Sequence, residues 1–213
     1  MVYCVHWGMH CTFYSTIADI PSSLWNELFD SKNPFVQHAF LLALEQSGCV
    51  GGDTGWAPRH MLLANDDGPI AVMPLYYKTD SYGEFVFDWG WAEAYSRHGL
   101  DYYPKLVTAI PYSPVAGPRL GLAATADPVE VVTALLHAIH QLADQQSCSG
   151  WHLLFAGRRL QNTLVELKDE DDLEDDAVVL QGKEGYNPTV LDLDDTENDR
   201  TVIAHTEFNT SET

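Results

Sequence analysis

Two rhythms of apolar residues run along this chain, the period of a helix and the alternation of a strand. Thr12-Phe-Tyr-Ser-Thr-Ile17 is a short β-prone run that reads as an opening strand. Pro21 to Phe29 reads as a short helix, with Ser22 or Ser23 as its cap and Glu27 near the positive end of its dipole. Asn33-Pro34 then opens a longer helix, Phe35 to Gln46. There Phe35, Ala39, Leu42 and Ala43 or Gln46 follow helical spacing, Phe40 and Leu44 widen the face, and Ser47-Gly48 ends it. His60–Ala64 and Pro69–Tyr77 are strands flanking Asn65-Asp-Asp-Gly68, a hairpin turn, and Pro74 implies an edge or a bulge.

Phe85-Val-Phe-Asp-Trp-Gly-Trp91 alternates in part and breaks at Gly90, so it is expected as a strand, with Ala92–Leu100 helical. Tyr102–Ile110 leads toward another strand, and Tyr112–Leu120 reads as strand turning into loop. Asp127-Pro128 is a helix start, with Asp as N-cap and Pro in the first turn. The helix runs to about Gln146 and places Val131, Leu135, Ala138, Ile139 and Leu142 on one face. Gly150–Phe155 is a buried strand by length and composition, and Leu160–Leu167 starts a further helix. This order predicts an α/β or α+β fold, not a bundle or a sandwich.

Composition narrows the function classes. A chain of 213 residues with 46% apolar and 20% charged residues holds one domain, or one domain with a tail. The formal charge of −20 argues against a nucleic-acid groove and against docking on an anionic membrane. No apolar run reaches the roughly 18 to 20 residues that span a bilayer. The start has no cationic leader, and four scattered cysteines (Cys4, Cys11, Cys49, Cys148) make no disulfide scaffold, so a soluble, reduced, cytoplasmic protein is expected. Residues 166–213 hold 16 acidic and three basic side chains. Such repulsion predicts a poorly ordered acidic tail from about 169 to 213, in which Ala177–Leu180 and Thr189–Leu193 are the patches able to dock as edge strands.

Three groups of residues suggest chemistry, and each has a plainer alternative. Gly117-Pro-Arg-Leu-Gly-Leu122 lies between a strand and a helix N-terminus, where backbone amides and Arg119 can hold a phosphate. The alternative is a Gly/Pro connector whose arginine pairs with a carboxylate. Glu84 and Asp88, four apart, would share one face of an extended strand and can take a proton from an amine or hydroxyl, while Trp89, Trp91 and Tyr95 can stack on a sugar or an amide. The alternative is a set of core or interface aromatics, with Asp88 capping a turn. His137 and His140, or Cys4, His6, His10 and Cys11, suggest metal but lack a second half with ligand spacing. There is no GxSxG elbow.

A resemblance adds to this reading. Asn33-Pro-Phe35, His38-Ala-Phe-Leu41, Thr54-Gly-Trp-Ala-Pro58, the block Asp80-Ser-Tyr-Gly-Glu-Phe-Val-Phe-Asp-Trp-Gly-Trp91, Tyr102-Tyr-Pro-Lys-Leu106 and Pro114-Val-Ala-Gly-Pro-Arg-Leu120 resemble the Fem-like predicted peptidoglycan biosynthesis/recognition proteins of the GNAT acyltransferase superfamily. The resemblance implies a GNAT-like mixed, largely antiparallel sheet flanked by helices over residues 12–168, with residues 1–11 as an extension. It implies an acyl-CoA or aminoacyl donor as co-substrate, with no tightly bound cofactor. The donor's pyrophosphate would lie against Val115, Gly117, Arg119, Leu120 and Gly121. The acceptor would be an amine or a muropeptide that attacks the donor's acyl carbon. Glu84 and Asp88, as candidates for the base that takes its proton, come from the residue reading above and not from the resemblance. Full members carry two such units in tandem, and this chain resembles the first. N-acyl transfer, muropeptide recognition without catalysis, and an incomplete half-protein are the three resulting expectations; the oligomeric state stays open. The transferase expectation requires that the amides between Gly117 and Pro128 converge on a negatively charged group.

Overall fold

In the computed structural model, residues 2–5, 8–85, 88–169, 178–181 and 201–205 are described. Their elements are β1 (Val2–Val5), β2 (Met9–Tyr14), α1 (Ser22–Phe29), α2 (His38–Gln46), β3 (Trp56–Pro58), β4 (His60–Asn65), β5 (Gly68–Met73), β6 (Tyr76–Lys78), α3 (Trp89–Arg97), β7 (Lys105–Thr108), β8 (Gly121–Leu122), α4 (Pro128–Gln145), β9 (Gly150–Leu154), α5 (Arg158–Asp169), β10 (Val178–Gln181) and β11 (Thr201–His205). They form an antiparallel sheet in the order β1-β2-β4-β5-β8 and a second sheet in the order β10-β11-β9-β7-β6-β3. The second sheet is antiparallel from β3 to β7 and parallel from β7 onward. The mixed α/β class expected from the residue pattern is the class observed.

The hairpin forms where its turn residues stand, with Asn65 opposite Gly68 and Asn65 Oδ1 accepting from the Asp67 amide at 3.0 Å. Beyond it the run Pro69–Tyr77 is not one bulged strand. It breaks at Pro74 into β5 and β6, which belong to different sheets. Proline has no N–H for a ladder, so the chain changes sheet there. Arg59 breaks β3 from β4 at the same level, and its amide donates to the Leu75 carbonyl at 2.8 Å. The two sheets therefore meet along one double crossing.

Alternation then sorts the core. Met61, Leu63, Ala71 and Met73 point to the side covered by α4, with Val131, Leu135, Ala138, Ile139 and Leu142 among the residues packed there. Leu62 and Val72, out of phase with them, join Trp25, Leu28, Phe29 and Leu41 from α1 and α2. The central strands are buried on both faces, which explains why their sequences read as nearly continuous apolar runs. A separate cluster of Val50, Trp56, Tyr76, Val107 and Leu154 lies on the second sheet.

Several expectations shift in detail. The strand expected over 85–91 gives way to a helix at its described end: α3 begins at Trp89, and the Ala92 amide donates to the Asp88 carbonyl at 3.0 Å, closing its first turn. Neither Ser22 nor Ser23 caps α1, because Pro21 precedes the helix and no side chain accepts there. The helix expected over 35–46 is a 3-10 turn, Pro34–Val36, followed by α2. Tyr112–Leu120 is loop rather than strand, tied to the sheet by a bridge between Gly117 and Ala156. Residues read as an N-terminal extension supply β1 and the start of β2, whose Met9 and Cys11 are core residues paired alongside β4. In the segment read as a tail, the Ala177–Leu180 patch contributes to β10. The other added strand is β11, and Thr189–Leu193 lies outside the described residues.

The α4 start is as the sequence implies: Asp127 Oδ1 accepts from the Val129 and Glu130 amides at 2.8 and 3.2 Å. Asp127→Ala is expected to cost about 1 kcal/mol of stability in urea unfolding, the usual worth of an N-cap. A loss indistinguishable from zero would show that packing alone holds this helix end.

Candidate functional site

Strands β6 and β7 place Lys78 directly opposite Lys105, and both side chains are fully buried. Two ammonium groups on one face of a sheet demand anions, and the segment between the strands supplies them. Lys105 Nζ donates to Glu84 Oε2 at 2.9 Å and, in a very short contact, to Asp88 Oδ2. The Tyr102 hydroxyl donates to that same Asp88 oxygen at 2.6 Å. Lys78 Nζ donates to Asp80 Oδ1 at 3.3 Å and to the Tyr82 carbonyl at 3.1 Å, and sits 4.1 Å from the centre of the Trp56 ring. Three carboxyl groups thus face two ammonium groups.

This imbalance falls on Glu84. Burial pushes its carboxyl from the ordinary 4.5 up to about 7; Lys105 and Lys78 pull it down, while Asp88 adds to the rise. Burial also lowers Lys78, against the pull of Glu84 and Asp80, and raises Tyr102, with Asp88 adding to the effect. Glu84 Oε1 and Asp88 Oδ1 are buried without a hydrogen-bond partner among the described residues.

The same segment, and the turn after β7, present rings outward. Tyr82 is 79% exposed, Trp89 68%, Phe85 48% and Tyr112 42%. The main chain beneath them is pinned. The Tyr82 carbonyl receives Lys78 Nζ and also Trp56 Nε1 at 3.0 Å, and the Tyr82 amide donates to Asp80 Oδ1 at 2.9 Å. The Tyr112 amide donates to the Gly83 carbonyl at 3.1 Å. A Cβ on Gly83 would come within 2.6 Å of the Tyr112 ring, so glycine is needed there. Phe85 and Tyr112 take left-handed φ angles of 61° and 58°, a strain held by the surrounding bonds.

The pair Glu84 and Asp88 does converge, although by a route other than strand alternation. Glu84 follows a turn, Asp88 precedes α3, and Lys105 joins them. Trp89, Trp91 and Tyr95 do not form one face. Trp89 and Trp91, two apart on a helix, diverge, and Tyr95 meets Tyr102 edge-on at 5.2 Å. Lys78, Lys105, Asp80, Tyr82, Phe85, Tyr102 and Tyr112 were not expected from the sequence pattern. One signal was available for Lys78, which alternates in phase with the buried Tyr76.

The loop from Val115 to Leu122 spends its donors inside the fold. Arg119 is 1% exposed; its Nε donates to the Leu154 carbonyl at 3.1 Å, Nη1 to Pro118 at 3.1 Å and Nη2 to Val115 at 2.5 Å. The Gly117 amide donates to the Phe155 carbonyl at 3.0 Å, Gly121 and Leu122 pair with β5, and the Ala123 amide donates to Ile70 at 2.8 Å. Leu120 packs on the core beside α4. Added Cβ atoms at Gly117 and Gly121 would strike Asn33 and Phe29, so these glycines serve close packing. The N-terminus of α4 already holds the Asp127 carboxylate. Cys11 lies in the core, where burial pushes its thiol up to about 12, and no cluster of three or more His, Cys, Asp or Glu fit for a metal stands among the described residues. No described helix is long and apolar enough to cross a membrane.

A model of the FemAB-like family, whose description is peptidoglycan biosynthesis/recognition, matches residues 16–173. The chain belongs to this family. No curated protein and no solved structure matches the chain. The match takes in the whole Asp80–Trp91 block, both lysines and the Val115–Leu122 loop, so the ion cluster lies inside the FemAB-like region. Membership carries a role in peptidoglycan biosynthesis or recognition.

Glu84 makes the fold sensitive to pH. Its carboxyl holds a proton more tightly in the folded chain, so the stability it contributes is full below about 4.5 and is lost as pH rises through about 7. Between pH 5 and 8 this amounts to roughly 2 kcal/mol. Glu84→Gln is expected to remove that slope from melting curves. A variant that keeps the wild-type slope would show that other groups carry it.

Proposed function

We propose that this FemAB-like domain recognises peptidoglycan fragments on the rings of Tyr82, Phe85, Trp89 and Tyr112. One observation carries the reading: Tyr82 and Tyr112 stand exposed on main chain that a buried lysine, a buried tryptophan and a tyrosine amide hold in place, with Phe85 and Trp89 exposed further along the segment that bears Tyr82. Exposed aromatic side chains on a rigid frame lose little entropy when a ligand covers them, and their flat faces suit sugar rings and amide planes. The charge of −20 favours neutral or cationic ligand groups over polyanions.

A second reading is N-acyl transfer. The observation that favours it is the Glu84 carboxyl pushed up to about 7, a value suited to a base working near neutrality. An amine nitrogen would attack the carbonyl carbon of an acyl-CoA or aminoacyl donor. The carbon–sulfur or carbon–oxygen bond would break, and Glu84 would take the amine proton. Against it stand the internal pairing of Arg119 and the Gly117 amide, and the Asp127 carboxylate at the α4 N-terminus.

Calorimetric titration separates the two. Muropeptides and oligosaccharide fragments of the wall are expected to give saturable heat. Tyr82→Ala and Trp89→Ala should each weaken binding about tenfold, with melting temperatures within a few degrees of wild type. Heat from CoA thioesters with none from wall fragments would replace recognition by transfer.

A further inference from the structure

Helix α3 is joined to the domain in an unusual way. The other four helices each bury side chains in a core, whereas α3 buries none. Its side chains include an exposed ion pair, Arg97 with Glu93 at 2.7 Å, and the exposed Trp89. Two attachments to the body stand out. At its start Asp88 is gripped by Lys105 and by the Tyr102 hydroxyl, and further along Tyr95 leans on the Tyr102 ring. Both run through β7 and the residues just before it. Trp91, Ala92, Ala94 and Tyr95 are only half-buried, so α3 packs weakly and draws much of its stability from such points.

We propose that α3 is a flap fastened by the Lys105 ion cluster, which opens as a unit without unfolding of the sheets and bares Glu84 and Asp88 to solvent. The charge count sets when it opens. Glu84 Oε2 and Asp88 Oδ2 share one ammonium group, and Lys78 is occupied by Asp80 and the Tyr82 carbonyl. A proton on Glu84 balances the five groups. Its loss leaves an uncompensated buried negative charge, which opening relieves by hydration. The groups facing Glu84 are Lys105 on β7, Lys78 on β6, Asp88 before α3, and Tyr102 and Tyr103 before β7, with Asp80 after β6 acting on Lys78 and Tyr103. His152 on β9 meets the Tyr102 ring edge-on at 5.8 Å. Both tyrosines are raised, chiefly by burial, and so stay neutral throughout the neutral range. Trp89 rides on the flap, which ties the aromatic surface to the same proton. The proposal itself needs no ligand.

Hydrogen exchange on the full chain tests it, read as protection factors at pH 6 and pH 8. In wild type, amides 92–97 are expected to lose about tenfold in protection between the two, the ratio that linkage gives for a carboxyl moving from 4.5 to about 7, while amides of α4 and β9 hold. Glu84→Gln should keep α3 protected at both values. Asp88→Ala, which leaves Lys105 and the Tyr102 hydroxyl no acceptor at the start of α3, should lose α3 protection at both while α4 stays protected. His152→Gln, which leaves Glu84 in place, should keep the wild-type ratio. Equal wild-type protection at the two pH values, a pH effect that persists in Glu84→Gln, or exchange of α3 always in step with α4 would overturn the proposal. So would full α3 protection in Asp88→Ala. Because no wall fragment enters the experiment, a failure of the flap is distinct from a failure of recognition.

Discussion

An ammonium group cannot stay charged inside a sheet unless carboxylates come to it, and that constraint organises one whole end of this molecule. Lys105 lies among buried neighbours on β7, opposite the equally buried Lys78 on β6. The chain between those strands bends back to deliver Asp80, Glu84 and Asp88. In doing so it turns Tyr82 and Phe85 outward and starts α3 at Trp89. The exposed rings and the buried charges are two sides of one arrangement.

The second organising feature is the crossing at Arg59 and Pro74. There two strands pass together from the antiparallel sheet into the mixed one. It gives β4 and β5 a helix layer on each face, and it positions β6 beside β7. Without that change of sheet Lys78 would have no lysine opposite it. A polar lock sits close to the same crossing: Glu45 on α2 accepts from Thr16 Oγ1 at 2.5 Å and from the Ile17 amide at 2.9 Å, and His60 Nε2 lies 3.1 Å away. It holds α2 against the strand that crosses.

The loop from Val115 to Leu122 shows how one residue pattern serves two purposes. Gly, Pro and Arg before a helix are what an anion site requires, and they are equally what a tight seam between chain segments requires. In this fold Asn33, Phe29 and the β9 carbonyls press on that loop, and Arg119 satisfies main-chain oxygens that would otherwise be buried without donors. The family match runs over residues 16–173 and so includes that loop.

Local patterns sufficed wherever the deciding interaction lay within a few residues. The α4 cap at Asp127, the hairpin at Asn65–Gly68, the buried β9 and the mixed α/β class follow from nearest-neighbour chemistry and periodicity. They failed where a distant partner won. The aromatic run before α3 has strand-like residues, yet Asp88 answers to Lys105, 17 positions away, and Arg119 to Leu154, 35 positions away. The amino-acid pattern settled the helix α4, the hairpin strands β4 and β5, the strand β9 and the apolar side chains that seek the interior. Only tertiary structure decided which charges meet there, because Coulomb energy and desolvation depend on distance through space and on burial, and neither is written in sequence order.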